Sequence, residues 1–153
     1  MVTLFPKIER EHEGPVDYLA NLKKAKETVS IPVFASINAV NDETWVDYAV
    51  KAAGTGVDGL ELNFYSVPEK LNGKHAEIEK SQLDTFRKVR SAVKIPIAVK
   101  LSSFYTNPLK IIYDLDKAGA NGLVLFNRLF QTDIDIENEH HRYPFSLSNS
   151  EDN

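Results

Sequence analysis

Cysteine is absent from the 153 residues, which excludes disulfides, thiolate metal sites and a cysteine acting as nucleophile or base. Basic residues are not in excess. Eighteen Lys and Arg stand against 22 Asp and Glu, giving a formal net charge of -4 and a pI near 5.6. That balance argues against a nucleic-acid partner held by electrostatics. The one basic run, Lys23-Lys24-Ala25-Lys26, falls on a helical pattern and reads as a solvated face. Long apolar runs and a signal peptide are also missing, so no membrane partner and a soluble, cytoplasmic chain are expected. Glycine is sparse, 7 residues in all, and nowhere clusters into a loop able to cradle a phosphate.

What is present is ordinary for a globular domain: 42% hydrophobic and 26% charged residues. Val16 to Val29 has apolar residues at helical spacing (Val16, Leu19, Leu22), and Ser30-Ile31-Pro32 ends it, because the residue before proline is pushed out of the helical region. Val33 to Asn38 reads as a strand. A helix carrying Trp45, Ala49 and Ala52 follows, with Asp42 or Thr44 as its expected cap and Gly54-Thr55-Gly56 as its stop. Val57 to Phe64 is a second strand, and Ile78 to Val93 a long helical pattern. Pro96 to Ser103 is a third strand. Pro108 opens a helix through Ile111 and Leu115, and Leu123 to Arg128 is a fourth strand.

The alternation of strand and helix with short connections predicts a parallel α/β architecture. The chain also repeats itself. Ile31-Pro32-Val33 matches Ile95-Pro96-Ile97, and Val57-Asp58-Gly59-Leu60 matches Ala120-Asn121-Gly122-Leu123. Repeated βα units are expected of a (β/α)8 barrel, of which about four units are visible here. We therefore expect one partial barrel domain over residues 1–153, with 1–15 and 138–153 as polar, irregular flanks. Glu9 to Glu13 and His140-His141 read as solvated segments rather than metal ligands, so no metal is expected.

Polar groups gather at the carboxyl end of every predicted strand: Ser36 and Asn38, Asn63, Lys100 and Ser102, Asn127 and Arg128. Parallel α/β sheets bind ligands at that end. Strand parity places Glu61 with Asn63, Ala98 with Lys100 and Ser102, and Leu123 and Leu125 with Asn127. A lysine between Val99 and Leu101, and a glutamate deep in its strand at Glu61, each need a partner if buried, and each is the obvious partner of the other. Neutral amides with one fixed positive charge suit a planar heterocycle bearing carbonyls and ring nitrogens, such as a flavin.

In order and spacing, Glu61-Leu-Asn-Phe-Tyr-Ser66, Ile95-Pro-Ile-Ala-Val-Lys-Leu-Ser102 and Gly122-Leu-Val-Leu-Phe-Asn127 resemble three central strands of the dihydroorotate dehydrogenases, with the soluble, class 1-like branch the nearest in flavour. The resemblance covers roughly residues 16–137. It implies a (β/α)8 TIM barrel flavoprotein, an oxidoreductase that uses FMN to oxidise dihydroorotate to orotate in pyrimidine biosynthesis. It also implies a small-molecule pyrimidine substrate. By the same resemblance Ser36, Asn63, Lys100 and Asn127 bind the cofactor, and Asn63 and Asn127 also hold the substrate. Lys100 and Ser66 are the catalytic residues, with Ser66 at the position of the base and Tyr65 as second candidate. Family members commonly read E-L-N-x-S-C-P-N, whereas Phe64-Tyr65-Ser66-Val67-Pro68 lacks the final asparagine.

A complete barrel takes about 250 residues, so the chain is read as the middle of a larger enzyme, a fragment. Its two open sheet edges would favour a homo-oligomer. The alternatives are a non-catalytic, self-associating half-barrel and a phosphate-sugar barrel enzyme.

Overall fold

A computed structural model describes residues 14–39, 41–65, 75–128, 130–131, 134–141 and 146–147. Four parallel strands alternate with four helices: α1 Pro15–Thr28, β1 Phe34–Ile37, α2 Asp42–Ala53, β2 Gly59–Asn63, α3 His75–Ala92, β3 Ile97–Leu101, α4 Pro108–Lys117 and β4 Gly122–Leu125. The strands lie side by side in sequence order, β1-β2-β3-β4, and every neighbouring pair is parallel. The expected class, α/β with about four parallel βα units from a barrel, is therefore the class observed.

That strand order decides which face of the sheet is covered. Crossovers between parallel strands are right-handed, so a sheet that grows in one direction puts all its helices on one side. The buried residues follow. Ala35, Ile37, Leu60, Leu62, Ile97, Val99 and Leu101 all face the helices and are at most 5% exposed. They meet Trp45, Ala49 and Ala52 of α2, Phe86 and Val89 of α3, and Ile111 and Leu115 of α4 in one core. The alternate residues, Phe34, Ser36, Glu61, Asn63, Ala98 and Lys100, belong to the opposite face.

Helix ends obey local chemistry. Pro108 stands in the first turn of α4, and the Asn107 side chain accepts a hydrogen bond from the Lys110 amide. The cap of α2 corrects the sequence reading. It is Asn41, whose Oδ1 accepts from the Thr44 amide at 3.0 Å, and not Asp42 or Thr44. Gly56, at φ 88°, supplies the left-handed residue after α2, and Gly119, at φ 95°, does so after α4.

The repeat seen in the sequence is also a repeat of hydrogen bonds. Asp58 Oδ2 accepts from the backbone amide of Val33, just after Pro32, at 2.7 Å, and Asn121 Oδ1 accepts from that of Ile97, just after Pro96, at 3.0 Å. A helix cation backs each one. Lys26 of α1 grips Asp58 at 2.7 and 2.8 Å, and Arg90 of α3 reaches Asn121 at 3.2 Å. Each latch ties the start of one strand to the start of its neighbour and so fixes their register.

The expected irregular flank beginning at Asn138 is corrected in part. Ile134–Asp135 pairs antiparallel with His140–His141, and Phe130–Gln131 with Ser146–Leu147. Two-residue strands carry too little period to be read from sequence. The turn between the inner pair is closed by Asp135, whose Oδ1 accepts from the Glu137 and Asn138 amides. The N-terminal flank expected over 1–15 lies outside the described residues, apart from Gly14 and Pro15.

Candidate functional site

The carboxyl ends of β2, β3 and β4 are laced together by their backbones. The Phe64 amide donates to the Lys100 carbonyl at 3.0 Å, and the Asn127 amide to the Leu101 carbonyl at 2.7 Å. Phe64 is buried, with its ring edge-on to Trp45 of α2 at 5.2 Å between centroids. Leu62 and Phe64 thus both point into the core. Alternation then leaves Asn63 between them on the helix-free face. The same logic holds for Lys100 between buried Val99 and Leu101, and Asn63 and Lys100 are register partners.

Asn127 arrives from further away. Its Nδ2 donates to Asn63 Oδ1 at 2.9 Å, across the end of the intervening strand β3. Parity had grouped it with Leu123 and Leu125, but those two pair with Val99 and Leu101 and so lie on the helix side. Strand β4 ends at Leu125. Beyond that residue alternation no longer holds, and the chain carries Asn127 to the other face. Three of the sequence-predicted residues, Asn63, Lys100 and Asn127, are therefore brought together.

Ser36 is in the same face but is engaged elsewhere. Its Oγ donates to Glu61 Oε1 at 2.8 Å, its cross-strand register partner. The same carboxylate oxygen lies 3.9 Å from Lys100 Nζ, with the two side chains 21% and 29% exposed. That is an ion pair without a hydrogen bond, so the three N–H donors of the ammonium are not spent on Glu61. The mutual pairing expected of Lys100 and Glu61 exists, with Ser36 as a third member.

The Tyr18 hydroxyl of α1 donates to the Ser36 carbonyl at 2.7 Å, a donor that sequence reasoning did not single out. Burial pushes the Tyr18 phenol above its ordinary value, and the Glu61 charge adds to the effect. Of the remaining candidates, Ser102 is buried, Asn38 and Arg128 are exposed, and Tyr65 is half-buried. Ser66, the expected base, lies outside the described residues.

Chemically, the cluster offers two amides and an ammonium, with the Glu61 carboxylate 3.9 Å from the ammonium. The bond between the asparagines leaves the NH2 of Asn63 and the carbonyl of Asn127 outside it, one donor and one acceptor. Such a set matches the alternating carbonyl and N–H edge of a flavin ring or a pyrimidine. Among the described residues, no helix is long and apolar enough to cross a membrane.

No family model matches the chain. Curated proteins do. The chain is 30% identical over 113 residues to dihydroorotate dehydrogenase A (fumarate) of Lactobacillus helveticus, covering 70% of this chain and 36% of that protein. It is 31% identical over 110 residues to the protein of the same name from Limosilactobacillus reuteri, with the same two shares. To the catalytic subunit of dihydroorotate dehydrogenase B (NAD(+)) of Thermoplasma volcanium it is 32% identical over 106 residues, 69% of this chain and 35% of that one. The chain thus spans about a third of the length of the curated relatives it matches.

Proposed function

We propose, for a chain related over seven tenths of its length to the dihydroorotate dehydrogenases, that its sheet carries the flavin-ring seat of an FMN-dependent oxidoreductase acting on dihydroorotate or a close heterocyclic relative. The observation that carries this reading is the Asn63–Asn127 hydrogen bond with Lys100 in register beside it. Two amides held to each other lose less freedom on meeting a ligand than two free ones would.

FMN, when bound, supplies the hydride acceptor. Lys100 provides the fixed positive charge that offsets the negative charge the ring gains on reduction. Asn63 and Asn127 orient the ring and the pyrimidine edge. The proton that leaves the substrate goes to a base on the stretch after β2, where Ser66 and Tyr65 are the two candidates. The donor set fits the ring edge of the cofactor.

The test is reconstitution. The purified chain is mixed with FMN, freed of excess by gel filtration, and its visible spectrum recorded before and after dihydroorotate is added. The reading predicts a retained flavin band that bleaches with substrate, and a Lys100→Ala variant whose bound flavin does not bleach. A folded wild-type chain that emerges colourless contradicts it.

A second reading, self-association of the half-barrel, draws on the outer strands. Among the described residues, β1 and β4 each have a single neighbour in the four-stranded sheet, and Phe34 and Leu125 on them are 54% and 48% exposed. Unpaired strand edges of this kind favour pairing between chains. Light scattering on the purified chain separates the readings. A dimer that forms without FMN and retains none supports the second.

A further inference from the structure

We infer that Ser36 and Glu61 are positioning residues for Lys100: the serine orients the carboxylate, and the carboxylate tethers the ammonium over the helix-free face of the sheet. The inference deepens the function proposed above and rests on it for its purpose, but its geometry stands apart from any cofactor. It also gives Ser36 a role other than direct contact with the flavin.

The argument begins with register. Ser36 and Glu61 are direct lateral partners, and Glu61 is the lateral partner of Ala98. Lys100 stands two residues beyond Ala98 on the same face, which makes it the diagonal neighbour of Glu61. Diagonal neighbours in a sheet lie within reach of long side chains. A lysine stem is four carbons long and carries about 2 kcal/mol of rotamer entropy, so an untethered Lys100 would sample many positions over the face. Oε1 of Glu61 is the meeting point, accepting the Ser36 hydroxyl at 2.8 Å while lying 3.9 Å from the ammonium.

The chain of contacts extends one step back. Tyr18 holds the backbone of Ser36 through its carbonyl at 2.7 Å, so the serine is fixed at both its main chain and its hydroxyl. A structural salt bridge alone would need none of this. The Lys26–Asp58 pair in the same molecule is direct and bidentate, at 2.7 and 2.8 Å. The Glu61–Lys100 contact is longer and leaves the lysine donors for another partner. A tether that restrains the ammonium without saturating it is what a ligand-facing lysine requires.

The test measures where the amine spends its time, with no flavin present. The folded chain is exposed to a trace of deuterated acetic anhydride, then unfolded and fully acetylated with the light reagent, and the isotope ratio at each lysine is read by mass spectrometry. Glu61→Gln should raise the Lys100 acetylation rate about threefold, the scale of a partly exposed ion pair. Ser36→Ala should raise it less, and Glu61→Asp should restore most of the wild-type rate. Lys26 serves as the internal control and should not change.

Because Ser36 acts through Glu61, adding Ser36→Ala to Glu61→Gln should produce no further increase. An unchanged Lys100 rate in Glu61→Gln overturns the inference, as does a serine effect that persists undiminished in its background. Should Glu61→Gln fail to fold, the Ser36→Ala rate decides alone. Failure to retain FMN would remove the proposed function while leaving these rates as they are, so the two failures are distinguishable.

Discussion

Asp58 and Asn121 occupy equivalent places one repeat apart, and each accepts a hydrogen bond from the amide that follows a proline at the start of the preceding strand, Val33 at 2.7 Å and Ile97 at 3.0 Å. The two latches differ in charge and in how the cation is held: Lys26 meets both oxygens of Asp58, whereas Arg90 makes one bond to Asn121 and also donates to the Val93 and Ile95 carbonyls. Arg90 donates to the neutral Asn121 where Lys26 meets a carboxylate. Asn121→Asp should therefore keep the latch, now as an ion pair with Arg90, and leave stability unchanged or raised by up to about 1 kcal/mol. Asn121→Ala strands the Ile97 amide and should cost about 1–3 kcal/mol. Urea denaturation of the three proteins checks both.

Asp58 gives the first latch a pH dependence. The Lys26 ammonium chiefly, and then the Val33 amide, hold its carboxyl below the usual carboxylate value. A folded-state value depressed below the unfolded one gives stability that is fully present above the unfolded value. It is lost as pH falls through the depressed one. Asp58→Asn keeps the acceptor for Val33 but removes the charge. The stability gap between wild type and Asp58→Asn should be widest near neutral pH and close as acid is added. Urea midpoints measured across that range decide it. A constant gap would mean that the charge contributes nothing.

Tyr105 is the counterpart at high pH. Its hydroxyl donates to Gln82 at 2.8 Å, and burial pushes its pKa up to about 12. A value raised above the unfolded one means a contribution that is intact below the ordinary tyrosine value and lost as pH rises through about 12. Spectrophotometric titration should reveal a tyrosine ionising near pH 12 that is absent from Tyr105→Phe, whereas the raised Tyr18 phenol remains in that variant. That variant should also lose about 1 kcal/mol with its hydrogen bond.

Gly59 is kept small by Phe34. A Cβ at Gly59 would sit 2.4 Å from Phe34 Cε1 and 2.8 Å from Cδ1, so the ring that lies over the glycine would have to swing away. Phe34 is 54% exposed, and that movement is open to it. Gly59→Ala should cost about 1 kcal/mol. The cost should vanish in a Phe34→Ala background, and a double-mutant cycle by denaturation measures that coupling.

Much of the fold was legible because its strands are short apolar runs that end in polar residues, and its helices carry regular apolar stripes. Three of the four strands observed fall within those read from sequence, trimmed by a residue or more at their ends, whereas β4 starts at Gly122, one residue before the run read from Leu123, and ends at Leu125, three residues short of Arg128. What escaped was whatever depends on register or on chain that leaves a regular element. Asn127 could not be assigned a face by parity once β4 had ended at Leu125. The Ser36 hydroxyl reads as a rim donor until the β1–β2 register sets it opposite Glu61. Asn41 was passed over as a cap for Asp42 and Thr44, since polar residues at adjacent positions compete on equal terms in sequence. The Tyr18 contact crosses from helix to strand, and no local pattern signals it. The repeated Asp58-Gly59 and Asn121-Gly122 were visible as a repeat, but their purpose, latching a strand start, required the fold.

The central claim is that Asn63 and Asn127 work as one seat for a flavin ring. The direct measurement is a double-mutant cycle on FMN affinity, titrating wild type, Asn63→Ala, Asn127→Ala and the double variant by flavin fluorescence. Each single change should weaken binding about tenfold, or about 1.4 kcal/mol, and the double variant should be little weaker than either single one. Independent, additive losses, or affinities that do not change at all, would contradict the claim.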